Sequence, residues 1–237
     1  MARVVIFCGV SKSVKKIVKV LKLLAKEYGH ELTHLQRVTE KARRSKASAN
    51  EKAFQVLIGT ILSHRTRDER TEIATDALLA KFPTAQALAK AQLAEIRKLV
   101  KPVNFYKGKA KYVKKCSQEL VERFDGVVPR TMEELTSLTG VGRKTAGCVM
   151  VYAHELAHSI PVDSHVHQVS NRLGLVKTKT PNETEQKLMQ AVPQKYWLDV
   201  NELFVLHGQR TCVPISPFCS RCPVRGLCPR VGVTRSR

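Results

Sequence analysis

Four cysteines crowd into 17 residues near the end of the chain, Cys212, Cys219, Cys222 and Cys228, spaced Cys-x6-Cys-x2-Cys-x5-Cys, while Cys8, Cys116 and Cys148 are scattered. Such crowding suits thiolates gathered around one metal centre better than a disulfide framework. Tetrahedral zinc and a [4Fe-4S] cluster both accept four thiolates, and the donor set alone leaves both open.

A second candidate for chemistry lies in Leu138-Thr139-Gly140-Val141-Gly142-Arg143-Lys144-Thr145-Ala146. Two glycines bracketing one apolar residue allow positive φ and let a phosphate oxygen approach backbone N-H groups. Those amides of Gly140, Val141, Gly142 and Arg143 stand at an expected helix start, where the helix dipole favours an anion. Lys144 falls in the first turn of that helix, where the same dipole disfavours an ammonium and favours a nucleophilic neutral amine. Downstream, Ser159-Ile160-Pro161-Val162-Asp163-Ser164-His165 reads as a loop entering another helix, with Asp163 at its cap. Taken singly, a lysine among 41 basic residues is ordinarily a solvated charge and an aspartate before a helix an N-cap.

The remaining composition bounds what these residues can serve. The chain has 237 residues, 43% of them hydrophobic, enough for one large domain or two small ones with a real core. Lysine and arginine number 41 against 20 acidic residues, a net charge of +21 that points to a polyanionic partner, nucleic acid foremost. The first 47 residues carry +9 of this, so the body is basic on its own account. The run Lys41, Arg43, Arg44 and Lys46 reads as a solvated helix end with a supporting electrostatic part. No stretch of about 18 apolar residues exists, and Val4 to Val10 is too short for a secretory signal. A soluble intracellular protein of the cytoplasm or nucleoid, without a membrane partner, is expected.

The elements that must position these residues are helical. Apolar residues recur at helical spacing in Val14 to Tyr28, Ala53 to Leu62, Ile73 to Phe82, Leu93 to Val100, Tyr112 to Phe124, Thr145 to Ala153, Val166 to Leu173, Glu183 to Val192 and Trp197 to His207. Capping-box spacing marks two starts, Thr131 to Glu134 and Thr180 to Glu183, the first opening a short helix Met132 to Leu138 that runs into the Gly-Val-Gly turn. Val4 to Cys8 is the one short strand-like segment, without an obvious partner. The fold class expected is all-α.

Gly-Val-Gly-Arg-Lys-Thr-Ala followed by Val-Asp-Ser-His, with the cysteine pattern after Leu206-His207-Gly208, resembles the helix-hairpin-helix, Gly/Pro-rich loop and aspartate signature of the endonuclease III family. The resemblance spans roughly residues 48 to 230. It implies a base-excision-repair DNA N-glycosylase and abasic-site lyase, acting as a monomer on duplex DNA with a damaged base or abasic site, oxidised pyrimidines being the expected targets. Lys144 would be the Schiff-base nucleophile and Asp163 its carboxylate partner. The four cysteines would hold a [4Fe-4S] cluster in preference to zinc.

The implied architecture has a six-helix barrel over 48–158, with the hairpin at about 131–154. A discontinuous domain of 1–47 plus 159–237 would hold the cluster loop 212–228, with the active site in the cleft between the two. Rival readings are a related glycosylase of other base preference, or a silent metal-stapled DNA-binding protein.

The resemblance extends to residues expected to handle DNA. Ser63-His64-Arg65-Thr66 is similar to a family segment with glutamine at the place of Arg65. Asn104-Phe105-Tyr106-Lys107-Gly108-Lys109-Ala110 is similar to a loop whose apolar residue, here Phe105, wedges into DNA. Asn104 replaces the usual glycine, and asparagine tolerates the left-handed conformation. His165 is a candidate contact to the sugar-phosphate, and Gln168 stands where relatives carry arginine. Family members also place basic residues between the first two cysteines; Val213 to Phe218 has none, so phosphate contacts would fall to Arg221, Arg225 or Arg230.

Overall fold

The structure, a computed structural model, describes residues 12–31, 36, 37, 39, 40, 48–156 and 158–237. The expected strand Val4 to Cys8 and the basic run from Lys41 to Lys46 lie outside the described residues. Among those described, helices joined by short turns make up the fold and no strand forms. The chain divides into two compact units, one drawn from Met1–Glu31 and Val162–Arg237, the other from Leu32–Pro161. The division falls after residues 31 and 161, where the sequence expectation put it after 47 and 158.

The second unit is built around α2 (Ala49–Ser63), in which every residue from Val56 to Leu62 is buried. A helix apolar all round belongs in the middle of a core. It packs against α3 (Asp68–Lys81), α6 (Tyr106–Phe124) and α8 (Arg143–Tyr152), with the short helices α4 (Ala85–Lys90), α5 (Leu93–Leu99) and α7 (Met132–Thr136) completing the unit. Phe54, Leu57, Ile58, Ile61, Leu78, Leu88, Ile96 and Leu120 share one cluster. Burial of each is worth about 1.5–3 kcal/mol. Ser48 and Glu51 form a full capping box at the start of α2, with the Ser48 amide donating to Glu51 and the Glu51 amide to the serine hydroxyl.

Ala85–Lys90 is a helix with no sequence expectation behind it: six residues are too few for a periodic signal, and its start is set by the Thr84 hydroxyl accepting from Ala87. The helix expected from Tyr112 begins at Tyr106 instead.

The first unit packs α1 (Lys12–Tyr28) and α9 (Ser164–Arg172) against α11 (Trp197–Arg210), with α10 (Pro181–Ala191) beside α9. Ile17, Val20, Leu21, Leu24 and Tyr28 give α1 its buried stripe. Gly208 is required where α9 meets α11: a Cβ there would stand 2.7 Å from the Cβ of His165. The carboxy-terminal loop holds single 3-10 turns at Cys219–Arg221 and Arg225–Leu227. No described helix is long and apolar enough to cross a membrane.

Candidate active site and metal centre

The Gly-Val-Gly turn joins α7 to α8 as the sequence requires. Thr131 caps α7 by accepting from the Glu134 amide, and its hydroxyl also meets the Glu134 carboxylate at 2.6 Å. Leu138 and Val141 are buried, and the Val141 amide donates to the Leu138 carbonyl at 3.1 Å. The Val141 side chain therefore anchors the turn. Gly140 has φ +81°, and a Cβ on it would crowd Tyr112 at 3.0 Å. Gly142, at the cap of α8, has nothing within 4 Å of such an atom. No side chain caps α8. Its first-turn amides stand at the positive end of the helix dipole.

Lys144 sits in that first turn, half-buried, between exposed Arg143 and buried Thr145. Thr145 bonds through Oγ1 to Nε2 of His64 at 2.9 Å, which ties the start of α8 to the end of α2. His64 as a residue is exposed, but its bonded ring is desolvated. With the Lys144 and Lys109 ammoniums nearby, its pKa is pushed down to about 4, so the ring is neutral at pH 7.

Asp163, in the other unit, is the N-cap of α9: its Oδ1 accepts from the amides of His165 and Val166, both at 2.9 Å. The cap uses one carboxylate oxygen and leaves Oδ2 outside it. His165 turns its Cβ and Nδ1 against Gly208.

Two segments of the Leu32–Pro161 unit present the remaining expected site residues. Arg65 (φ 51°) and Phe105 (φ 56°) both hold left-handed backbone, unusual away from glycine. Phe105 is 67% exposed, so it is not core. The left-handed residue is Phe105 and not Asn104, because the Asn104 side chain donates to the Arg65 carbonyl at 2.6 Å and its amide to Thr66 Oγ1 at 3.1 Å.

Sequence reasoning missed the groups that brace these features. Lys109 is 5% exposed, and Nζ donates to the carbonyls of Leu62 and His64, both at 2.6 Å, and to Thr66 Oγ1 at 2.8 Å. Burial draws its pKa down to about 8. Glu119 accepts from the amide and hydroxyl of Thr139 at 2.7 Å each. Nothing in the sequence separates either from other surface-type charges.

The four clustered cysteines line one cavity together with Arg172, Leu173, His207, Phe218 and Val224; its empty volume is about 410 Å³, part of it open to solvent. No three His, Cys, Asp or Glu among the described residues converge closely enough to hold a single ion. Arg172 at the end of α9 fixes the first part of the loop, donating to the carbonyls of Val213 and Pro214 at 2.8 Å each and to Cys212 Sγ at 3.5 Å. Gln168 donates to the Cys212 carbonyl at 2.6 Å, so the position where arginine was expected still holds the loop. His207 stands 3.8 Å from Cys222 Sγ and bonds through Nδ1 to Tyr28. Burial pushes the Cys222 thiol up to about 11 and raises those of Cys212 and Cys228. Thiolate ligation would therefore release protons on metal binding. Beyond the cavity, Arg221 and Arg237 lie over the Phe218 ring at 4.1 and 4.0 Å.

Comparison with known proteins identifies the family. The pattern of the HhH-GPD superfamily, base excision DNA repair proteins, matches residues 58–194. Endonuclease III of Thermotoga maritima is 44% identical over 175 residues, covering 74% of this chain and 82% of its own. That of Synechocystis is 40% identical over 175 residues, covering 74% and 80%. Among solved structures, a trapped endonuclease III-DNA covalent intermediate superposes with TM-score 0.78 at 29% identity, covering 91% of this chain and 95% of that one. The chain belongs to the HhH-GPD superfamily and, within it, to the endonuclease III family of DNA glycosylases and abasic-site lyases.

Proposed function

We propose that this base-excision-repair enzyme removes oxidised pyrimidines from duplex DNA through a Schiff base on Lys144, with Asp163 as the carboxylate partner. The observation that carries the reading is the placement of Lys144, a half-buried amine in the first turn of the helix that follows the Gly-Val-Gly turn. Phosphate held by that turn's amides would position the strand without reading its sequence. Breaking the N-glycosidic bond builds positive charge on the sugar, which the Asp163 carboxylate would stabilise. Lys144 gives up its ammonium proton and attacks C1′ as a neutral amine; the C1′–N bond breaks, and the base departs with a proton from the attacking nitrogen. The C1′–O4′ bond then opens, O4′ taking a proton while the nitrogen lone pair forms C1′=N. The resulting iminium acidifies C2′; loss of that proton expels the 3′ phosphate, and water releases the enzyme.

The target base must leave the stack for this to happen. Exposed Phe105 and Arg65 are suited to fill the gap, the first by apolar wedging and the second by stacking and hydrogen bonding. Borohydride trapping on an abasic duplex tests the nucleophile. Wild type should yield a covalent adduct that Lys144→Ala loses, and an adduct retained by the variant would overturn the assignment. Release of defined oxidised pyrimidines tests the substrate class.

The four cysteines are proposed to hold a [4Fe-4S] cluster. They line one cavity together, a four-thiolate set that suits such a cluster, and their spacing is the one that carries the resemblance to the endonuclease III family. The bound cluster would order the carboxy-terminal loop; the base-removal and strand-cutting steps use none of its redox chemistry. Four iron atoms per chain and a brown colour support it, and stoichiometric zinc in protein made under iron-replete conditions would overturn it.

A further inference from the structure

Arg65 and Phe105 lie 40 residues apart, at the ends of different elements, yet one set of hydrogen bonds ties their backbones together. Thr66 Oγ1 is the hub, accepting from the Asn104 amide and from Lys109 Nζ. The Asn104 side chain reaches the Arg65 carbonyl, and Lys109 spends its other two protons on the carbonyls of Leu62 and His64. Those two carbonyls are at the carboxy-terminal end of α2, where helical partners run out and a cation is favoured. Lys109 is also one turn along α6 from Phe105, its amide donating to the Phe105 carbonyl at 3.1 Å.

Left-handed backbone at a non-glycine residue costs on the order of 1–3 kcal/mol and persists only where the surroundings over-determine it. Here it occurs twice, at two exposed side chains, and the bracing groups are a buried ammonium and an asparagine between them. A turn that served only to connect helices would need neither an exposed phenylalanine nor a buried lysine.

We infer that Lys109 and Asn104 are positioning residues that hold Arg65 and Phe105 as one pre-set wedge, which enters the duplex as a unit where the nucleotide is extruded. This rests on the gap-filling reading of Arg65 and Phe105. The benefit of pre-setting is that no ordering entropy is lost when the duplex opens.

The test is stopped-flow fluorescence of 2-aminopurine placed beside an uncleavable abasic analogue in duplex DNA, using the full-length, cluster-loaded protein. It is paired with borohydride trapping on a single-stranded abasic oligonucleotide, where no stack has to be opened. Asn104→Ala and Thr66→Val should slow unstacking about tenfold, as loss of charge-assisted or hub bonds implies. Trapping on the single strand should fall much less, and Thr66→Ser should restore the unstacking rate. Lys109→Met should behave alike, and the milder Asn104 and Thr66 variants decide the matter if it does not fold. Equal loss on both substrates, or unstacking at the wild-type rate, overturns the brace. Phe105→Ala and Arg65→Ala run in the same assay separate the two levels: if neither slows unstacking, the gap-filling reading itself falls and the wedge with it.

Discussion

Glu119 reaches from α6 to Thr139, one carboxylate oxygen accepting from the threonine amide and the other from its hydroxyl, each at 2.7 Å. The residue immediately before the Gly-Val-Gly turn is thereby fixed from outside the hairpin. Glu119→Ala would leave a partly buried amide without its partner, costing about 1–3 kcal/mol. Duplex affinity should weaken, while turnover at saturating DNA changes little, since no catalytic group has moved. Thermal unfolding and equilibrium binding to an abasic-analogue duplex measure the two effects; undiminished affinity would show that the turn does not need this anchor to bind phosphate.

The two glycines of the turn should fail differently. Gly140→Ala forces a Cβ into φ +81° and against Tyr112, so it should destabilise the protein by about 1–3 kcal/mol as well as weaken DNA binding. Gly142→Ala meets nothing within 4 Å and has ordinary backbone angles, so stability should fall by no more than about 1 kcal/mol. The added methyl would stand at the proposed phosphate contact, and affinity should drop about tenfold if amide contacts are lost there. If Gly142→Ala binds DNA normally, the phosphate does not lie over that residue.

What could be read in the sequence was local. Thr131 and Thr180 cap their helices as their spacing to Glu134 and Glu183 requires, and the four cysteines line a common cavity. The Ser48 to Glu51 box carried the same signal and went unread. What could not be read was long-range. Asparagine at position 104 suggested left-handed backbone there, but its side chain is drawn to Arg65, and the unusual conformation passes to Phe105. Lys109 finds its acceptors 43 to 47 residues earlier in the chain, and no propensity encodes such a partner. Gln168 likewise holds Cys212 across 44 residues, in a position where arginine had seemed necessary.

Asp163 caps α9, and substitution can separate that role from the electrostatic one proposed for its carboxylate. Asparagine caps a helix about as well as aspartate, whereas alanine costs about 1 kcal/mol at this position. Asp163→Asn should therefore unfold within a degree or two of wild type, and Asp163→Ala should be measurably less stable. Both remove the negative charge, and both should lose on the order of 10²–10³ in base release. A fully active Asp163→Asn would show that the residue is a cap and nothing more.

Lys109 makes stability depend on pH in a direction opposite to that of an exposed ion pair. Its pKa is about 8 in the folded chain, below the ordinary lysine value of 10.5, so between these limits the unfolded chain holds more protons. Stability from this group must then rise as pH climbs from about 8 to 10.5, and below 8 the full cost of burying the charge is borne. Lys109→Met removes the titration. Comparing the two proteins by denaturant unfolding at pH 7.5 and pH 10, wild type should gain on the order of 2 kcal/mol relative to the variant. Over the same range its amine loses one of the three protons that hold Leu62, His64 and Thr66, so the duplex-opening step should slow as the fold grows more stable. A wild type whose stability and unstacking rate rise together above pH 8 would mean that the third hydrogen bond contributes nothing to the wedge.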